Sequence, residues 1–201
     1  MSQKSRPRQI NGEGTLSRDC EDEALRALMV QYQEGSLEAF RELYAHLASD
    51  LRRYVRFLTR DSDAADDLLQ EAFLQLHRSR AAYNPAYAVR PWIFGLARNV
   101  CLMNQRAMRR WANIHAVANK LPDVPVPAEV ERLANADAIR RCLAQLPADH
   151  AEALTLHHVW GFSFDEIAGM LGVSTVAARA RASRGMARLR AELERLSSSI
   201  P

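Results

Sequence analysis

Cysteine is scarce: Cys20, Cys101 and Cys142 are scattered along the chain, with no CxxC spacing and no neighbouring histidine cluster. This excludes a disulfide scaffold, a thiol redox motif and a cysteine-ligated metal site, and leaves free thiols of the kind a reducing cytoplasm maintains. The six histidines also lack ligand spacing, and the adjacent His157 and His158 point different ways on a helix. Neither a metal nor a cofactor is expected. No apolar run approaches the roughly 20 residues of a membrane span. The opening MSQKSRPRQINGEGTLSRDCEDE has charge but no apolar core, unlike a secretory signal. A cytoplasmic chain without membrane insertion is therefore expected. With no phosphate loop, metal cluster or activated nucleophile, an enzyme is not expected. Charge imbalance is slight as well, at +3.

What is present is ordinary for a globular protein: 48% hydrophobic and 25% charged residues over 201 positions. Ala, Leu, Arg and Glu dominate and β-branched residues are sparse, so the fold class expected is all-α. Residues 1–22 are polar and expected to be disordered. Apolar residues at three- and four-residue steps predict helices over 24–33 and 37–58, broken at Gly35-Ser36. A third helix is predicted from Asp63, whose spacing to Asp66 resembles a capping box. Ala65, Leu68, Leu69, Ala72, Phe73 and Leu76 form its apolar face. Residues 78–90 read as a loop, and Pro91 suits the first turn of a fourth helix. Pro122, Pro125 and Pro127 mark residues 113–131 as a linker. The expectation is two small helical domains, 23–112 and 132–197, joined flexibly and sharing at best a modest interface.

The segment GFSFDEIAGMLGVSTVAARARASRGMARLR carries the clearest local signal. Ser163 and Glu166 have capping-box spacing, Ile167, Ala168 and Leu171 face inward, Gly172 permits a tight turn, and Ser174 can cap the next helix. There Ala178, Ala182, Met186 and Leu189 form the apolar stripe, and Arg179, Arg181, Arg184, Arg188 and Arg190 occupy much of the rest. A short helix, a glycine turn and a basic helix make a helix-turn-helix, whose second helix can enter the major groove. A helical hairpin with a solvated basic face is the alternative.

Two further stretches stand out. In DSDAADDLLQEAFLQLHRSR, Asp67, Gln70, Glu71 and Leu74 lie opposite the apolar stripe, either as a docking surface or as a plain solvated face. In RPWIFGLARNVCLMNQRAMRRW, Trp92 and Phe94 precede Arg98, Arg106, Arg109 and Arg110, and no acid occurs over 91–113. The aromatics suit stacking on unpaired bases beside a phosphate backbone, or else belong to the core.

Together, DLLQEAFLQLHRSR, WIFGLARNVCLMNQRAMRR and LPADHAEALTLHHVWGFSFDEIAGMLGVS, in that order around a linker, resemble the extracytoplasmic-function sigma factors of bacterial RNA polymerase. The resemblance implies an alternative sigma factor that directs core polymerase to specific promoters and initiates transcription. It implies that Asp67, Gln70, Glu71 and Leu74 dock on core polymerase, a partner offering its β′ clamp and β subunits. The opened −10 element would be captured by Tyr83, Asn84, Trp92, Arg98, Asn99, Arg106, Arg109 and Arg110, with a flipped base taken near the loop 83–89. The −35 duplex would be read by Ser174, Thr175, Arg179, Arg181, Ser183, Arg184 and Arg188. The linker would lie in the polymerase channel.

Two positions depart from the family pattern. Where the family often has Asp, this chain has Met103, which continues the stripe of Leu96 and Val100 and is expected to pack. Where a Gly-Thr-Val run is usual, it reads Val176-Ala177-Ala178. Losing that Thr removes a phosphate contact, with an altered −35 preference expected. Two other functions fit the same fold: a sigma mimic that titrates an anti-sigma factor, and a helix-turn-helix repressor. The retained arginines argue against the first; the acidic face and aromatic-basic helix argue against the second. With no sensor of its own, the chain is expected to be held by an anti-sigma factor contacting Leu74 and its exposed apolar neighbours.

Overall fold

The computed structural model describes residues 13–59, 61–112 and 136–198, and among these every regular element is helical. The first half holds α1 (Glu13–Gln33), α2 (Leu37–Thr59), α3 (Ser62–Ser79), a 3-10 turn (Arg80–Ala82) and α4 (Val89–Ala112). The second holds α5 (Ala136–Gln145), α6 (Ala148–His158), α7 (Phe164–Leu171) and α8 (Thr175–Ser198). No helix among the described residues is long and apolar enough to cross a membrane. The proposed linker, 113–131, lies outside the described residues.

Helix α1 begins within the segment expected to be disordered. Residues 13–22 are helical, and a tertiary contact accounts for part of this. Arg18 sits 5.2 Å from the centre of the Phe162 ring and 3.6 Å from the Glu166 carboxylate. Residues 1–12 lie outside the described residues. The α1–α2 turn falls at Gly35-Ser36 as expected, and the Ser36 hydroxyl accepts from the Ala39 amide at 3.2 Å. Helix α3 starts earlier than Asp63, because the cap is Asp61, whose carboxylate accepts from the Asp63 amide at 3.0 Å. Its apolar stripe is buried at Ala65, Leu69, Ala72, Phe73 and Leu76, and Leu68 packs at the edge.

In the second half the sequence signals hold residue by residue. Ser163 and Glu166 form the capping box, and Gly172 closes α7 at φ +66°, a left-handed conformation that favours glycine. The Ser174 hydroxyl accepts from the Ala177 amide at 3.2 Å. Gly185 serves close approach: a Cβ there would stand 2.9 Å from the His150 carbonyl oxygen, so glycine lets α8 lie directly on α6.

The two halves share more than the modest interface expected. Tyr54 of α2 and Phe94 of α4 stack at 5.0 Å. Trp160, in the α6–α7 turn, meets their ring centres at 5.2 and 5.7 Å, and Phe162 lies 4.9 Å from Phe94. All four are buried, in one core running through both halves. Helical periodicity does not reveal this, because Trp160 and Phe162 sit in a turn.

Candidate nucleic-acid interface

Below this aromatic cluster is a buried polar triad. Glu152, only 6% exposed, receives Arg98 through Nε at 2.8 Å and the Tyr54 hydroxyl at 2.8 Å. The carboxylate comes from α6 and its partners from α4 and α2. Burial pushes the Tyr54 hydroxyl far above its ordinary range, and the Glu152 charge adds to this. Burial works to lower Arg98, but its hydrogen bond and ion pair with Glu152 prevail and hold the guanidinium charged. Nearby, burial and the Glu152 charge push the Cys101 thiol up to about 12, so it is protonated and unreactive. Arg98 is thus turned onto the second half in this arrangement and away from solvent, unlike the other arginines proposed for the −10 element.

Those others are open. Asn99, Arg106, Arg109 and Arg110 are all exposed on α4. Met103 stands among them at 66% exposure, so it does not pack as expected. The buried row runs instead through Ile93, Ala97 and Cys101. Past it, α4 reaches the end of α2, where Gln105 donates to the Leu58 carbonyl at 2.7 Å and nothing covers Met103. Two aromatics of this helix are structural: Phe94 is fully buried, and Trp92 packs against the core with its ring 5.0 Å from Tyr83. Tyr83 is buried too, and its hydroxyl donates to the Tyr87 carbonyl at 2.5 Å. Asn84 is exposed, with Oδ1 accepting from the Ala86 amide at 2.9 Å to shape the loop. The loop's exposed aromatic is Tyr87, which the sequence reading missed. The motif YNPAY contains both tyrosines, and only the loop's path decides which one faces out.

On α3 the structure brings Asp67, Gln70 and Leu74 together on the outward face, with Leu74 exposed. Glu71 is half-buried there and already accepts from Gln75 at 2.9 Å and Arg78 at 3.0 Å. Just beside this face, Phe73 contacts the half-open ring of Tyr44 at 4.6 Å.

On α8 the arginines divide by direction. Arg184 and Arg188 are exposed. Arg179 is exposed as well and lies over the Phe164 ring at 5.3 Å. Arg181 turns back to pair with Asp149 at 3.4 Å and is half-buried. Ser174 and Ser183 are exposed, while Thr175 donates to Asp165 at 2.7 Å. Of the residues proposed for the −35 element, Arg181 and Thr175 are therefore occupied inside the domain. Glu152 was the other residue missed; its signal was one acid among the apolar residues of AEALTL.

The profile described as Sigma-70 region 2 matches residues 43–111, and that of Sigma-70, region 4 matches residues 136–189. The sigma factor CarQ of Myxococcus xanthus is 34% identical over 176 residues, covering 86% of this chain and 99% of the relative. The extracytoplasmic-function sigma factor SigM of Mycobacterium tuberculosis is 32% identical over 174 residues, covering 86% of each. Among solved structures, RpoE in complex with the anti-sigma factor NepR from Bartonella quintana matches with a TM-score of 0.69 at 23% identity, covering 79% of this chain and 98% of that one. CnrH in complex with the cytosolic domain of CnrY matches at 0.64 and 25%, covering 85% and 97%. The chain belongs to the extracytoplasmic-function RNA polymerase sigma factors, and directs the polymerase to promoters.

Proposed function

We propose that this sigma factor divides its work among three solvent-facing surfaces and acts without catalysis of its own. The acidic-polar face of α3 docks on core polymerase through Asp67, Gln70 and Leu74. The outward arginines of α8 hold the −35 duplex. The exposed strip of Asn99, Arg106 and Arg110 follows the opened −10 strand, with Tyr87 as a stacking platform for an extruded base. One observation carries this reading: a mixed acidic-apolar face on α3 and a basic face on α8 are exposed in the same molecule. The work is cytoplasmic, where polymerase and promoter are found.

Run-off transcription with core polymerase across a promoter library tests the reading. Specific transcripts are expected; their absence, with core binding intact, would favour a decoy that titrates an anti-sigma factor. Charge reversal at Asp67 is expected to weaken core binding while leaving helicity unchanged. Unaltered affinity in an anisotropy titration would remove α3 from the interface.

A protein of the anti-sigma type is a fitting regulator. Leu37, Tyr44 and Leu74 leave apolar surface open on α2 and α3, and a partner that covers them also covers the polymerase face. Size-exclusion chromatography after co-expression with candidate partners tests this. Full promoter activity in unstressed cells, with no complex recovered, counts against it.

A further inference from the structure

Along α8, Ala178, Ala182, Gly185 and Leu189 are turned into the protein. The opposite side of the helix therefore carries positions 176, 180, 183 and 187. Steps of four, three and four residues follow the helical repeat of about 3.6 and form one row. That row is uncharged: Val176, Ala180, Ser183 and Ala187. The arginines flank it, with Arg179 and Arg190 on one side and Arg184 and Arg188 on the other. In a major groove, flanking arginines reach the phosphates and the central row faces the base edges.

Val176 heads this row and, at 79%, is the most exposed large hydrophobic side chain among the described residues. The fold gives no reason for it. It packs on nothing, and valine is a poorer helix former than alanine. Its polar neighbours are already engaged within the chain, Ser174 with the Ala177 amide and Thr175 with Asp165. The group left facing outward at the helix start is an isopropyl. In the major groove, the apolar group on a base edge is the thymine 5-methyl. A cytosine there presents a bare C–H at the same ring carbon and offers valine no methyl to contact.

We propose that Val176 is a specificity-determining residue for the −35 element, selecting a thymine by contact with its 5-methyl group. The inference rests on the reading that α8 enters the major groove. The experiment uses the full chain with core polymerase on a promoter duplex chosen from a randomised −35 library, with each thymine replaced in turn by deoxyuridine, which lacks only the methyl. At one position the replacement is expected to weaken binding about fourfold, as for loss of one buried methylene. With Val176→Ala, the same replacement is expected to change nothing. Val176 is exposed, so circular dichroism of the variant should match the parent. Equal responses of parent and variant at every thymine overturn the inference. If Arg184→Ala and Arg188→Ala still weaken duplex binding in that case, the groove reading survives and only the role of Val176 falls. If those variants bind unchanged as well, α8 is not the groove helix and both fall.

Discussion

Helices α4 and α8 each have 24 residues, carry several arginines and are proposed to face DNA, yet the fold treats them differently. Helix α8 buries one side on α6 and α7 and leaves its basic outer face open. Helix α4 is enclosed by its own half and, near its start, by the other. Phe94 is sealed under Trp160 and Phe162, and Arg98 is neutralised by Glu152. A cation held by a buried carboxylate is not available to a phosphate. Arg98 can serve the −10 element only after the second half moves off, whereas Arg179, Arg184 and Arg188 of α8 are open as they stand. Identical residue types thus make a ready surface in one place and a withheld one in the other.

Removing the hinge of this difference has the largest expected effect. Trp160→Ala opens a void between Tyr54, Phe57 and Phe94, and is expected to cost about 3–5 kcal/mol in urea denaturation. X-ray scattering should show an expanded chain. An unchanged radius would mean that the aromatic cluster does not hold the halves together.

Glu152→Ala leaves Arg98 and Tyr54 facing each other without their acceptor, and should cost about 3 kcal/mol. Glu152→Gln, which keeps an oxygen for the Tyr54 hydroxyl, should cost less. If the two variants unfold at the same urea concentration, the neutral hydrogen bond to Tyr54 contributes nothing and the whole loss is that of the charge.

On the DNA side, Tyr87→Ala should weaken binding to a single-stranded −10 oligonucleotide by about 1–3 kcal/mol and leave −35 duplex binding intact. Arg184→Ala should do the reverse and lower the salt dependence by about one phosphate contact. Arg181→Ala should matter less, since Asp149 already holds that guanidinium. Equal salt slopes for both arginine variants would erase the division by direction on α8.

The smallest effect concerns Asp22, on α1 near the second half. Burial raises its carboxyl above 3.8, Glu166 and Glu21 raise it further, and Arg18 and Arg90 oppose. The folded state therefore binds this proton more tightly than the unfolded state, and stability falls as pH rises through the folded value. Asp22→Asn should raise Tm by about one or two degrees at neutral pH and by nothing at pH values low enough to protonate the carboxyl in both states. A gain independent of pH would show that the charge is not its source.

The helix-turn-helix was legible in full because each of its signals is local. A cap and its acid lie three residues apart, a glycine closes one turn, and an apolar stripe repeats within one helix. The face of Asp67, Gln70 and Leu74 was legible for the same reason. Met103 misled because a stripe that continues in sequence has no partner once α4 passes the end of α2. Tyr83 and Tyr87 could not be ranked, since a loop has no periodicity to assign inside and outside. Residues 13–22 looked solvent-bound because Arg18 finds its ring and its carboxylate more than 140 positions away.

By itself, the sequence determined most of the helices, the turn between α7 and α8, the family and the outward faces of α3 and α8, because backbone propensity, capping and amphipathic spacing act over a few residues. Only the tertiary structure decided which arginines are free. Arg98 and Arg184 read alike in sequence; one meets Glu152, 54 residues away, and the other meets solvent. A charge is silenced by whatever the chain brings within about 3 Å of it, and that distance is set by packing across the whole molecule.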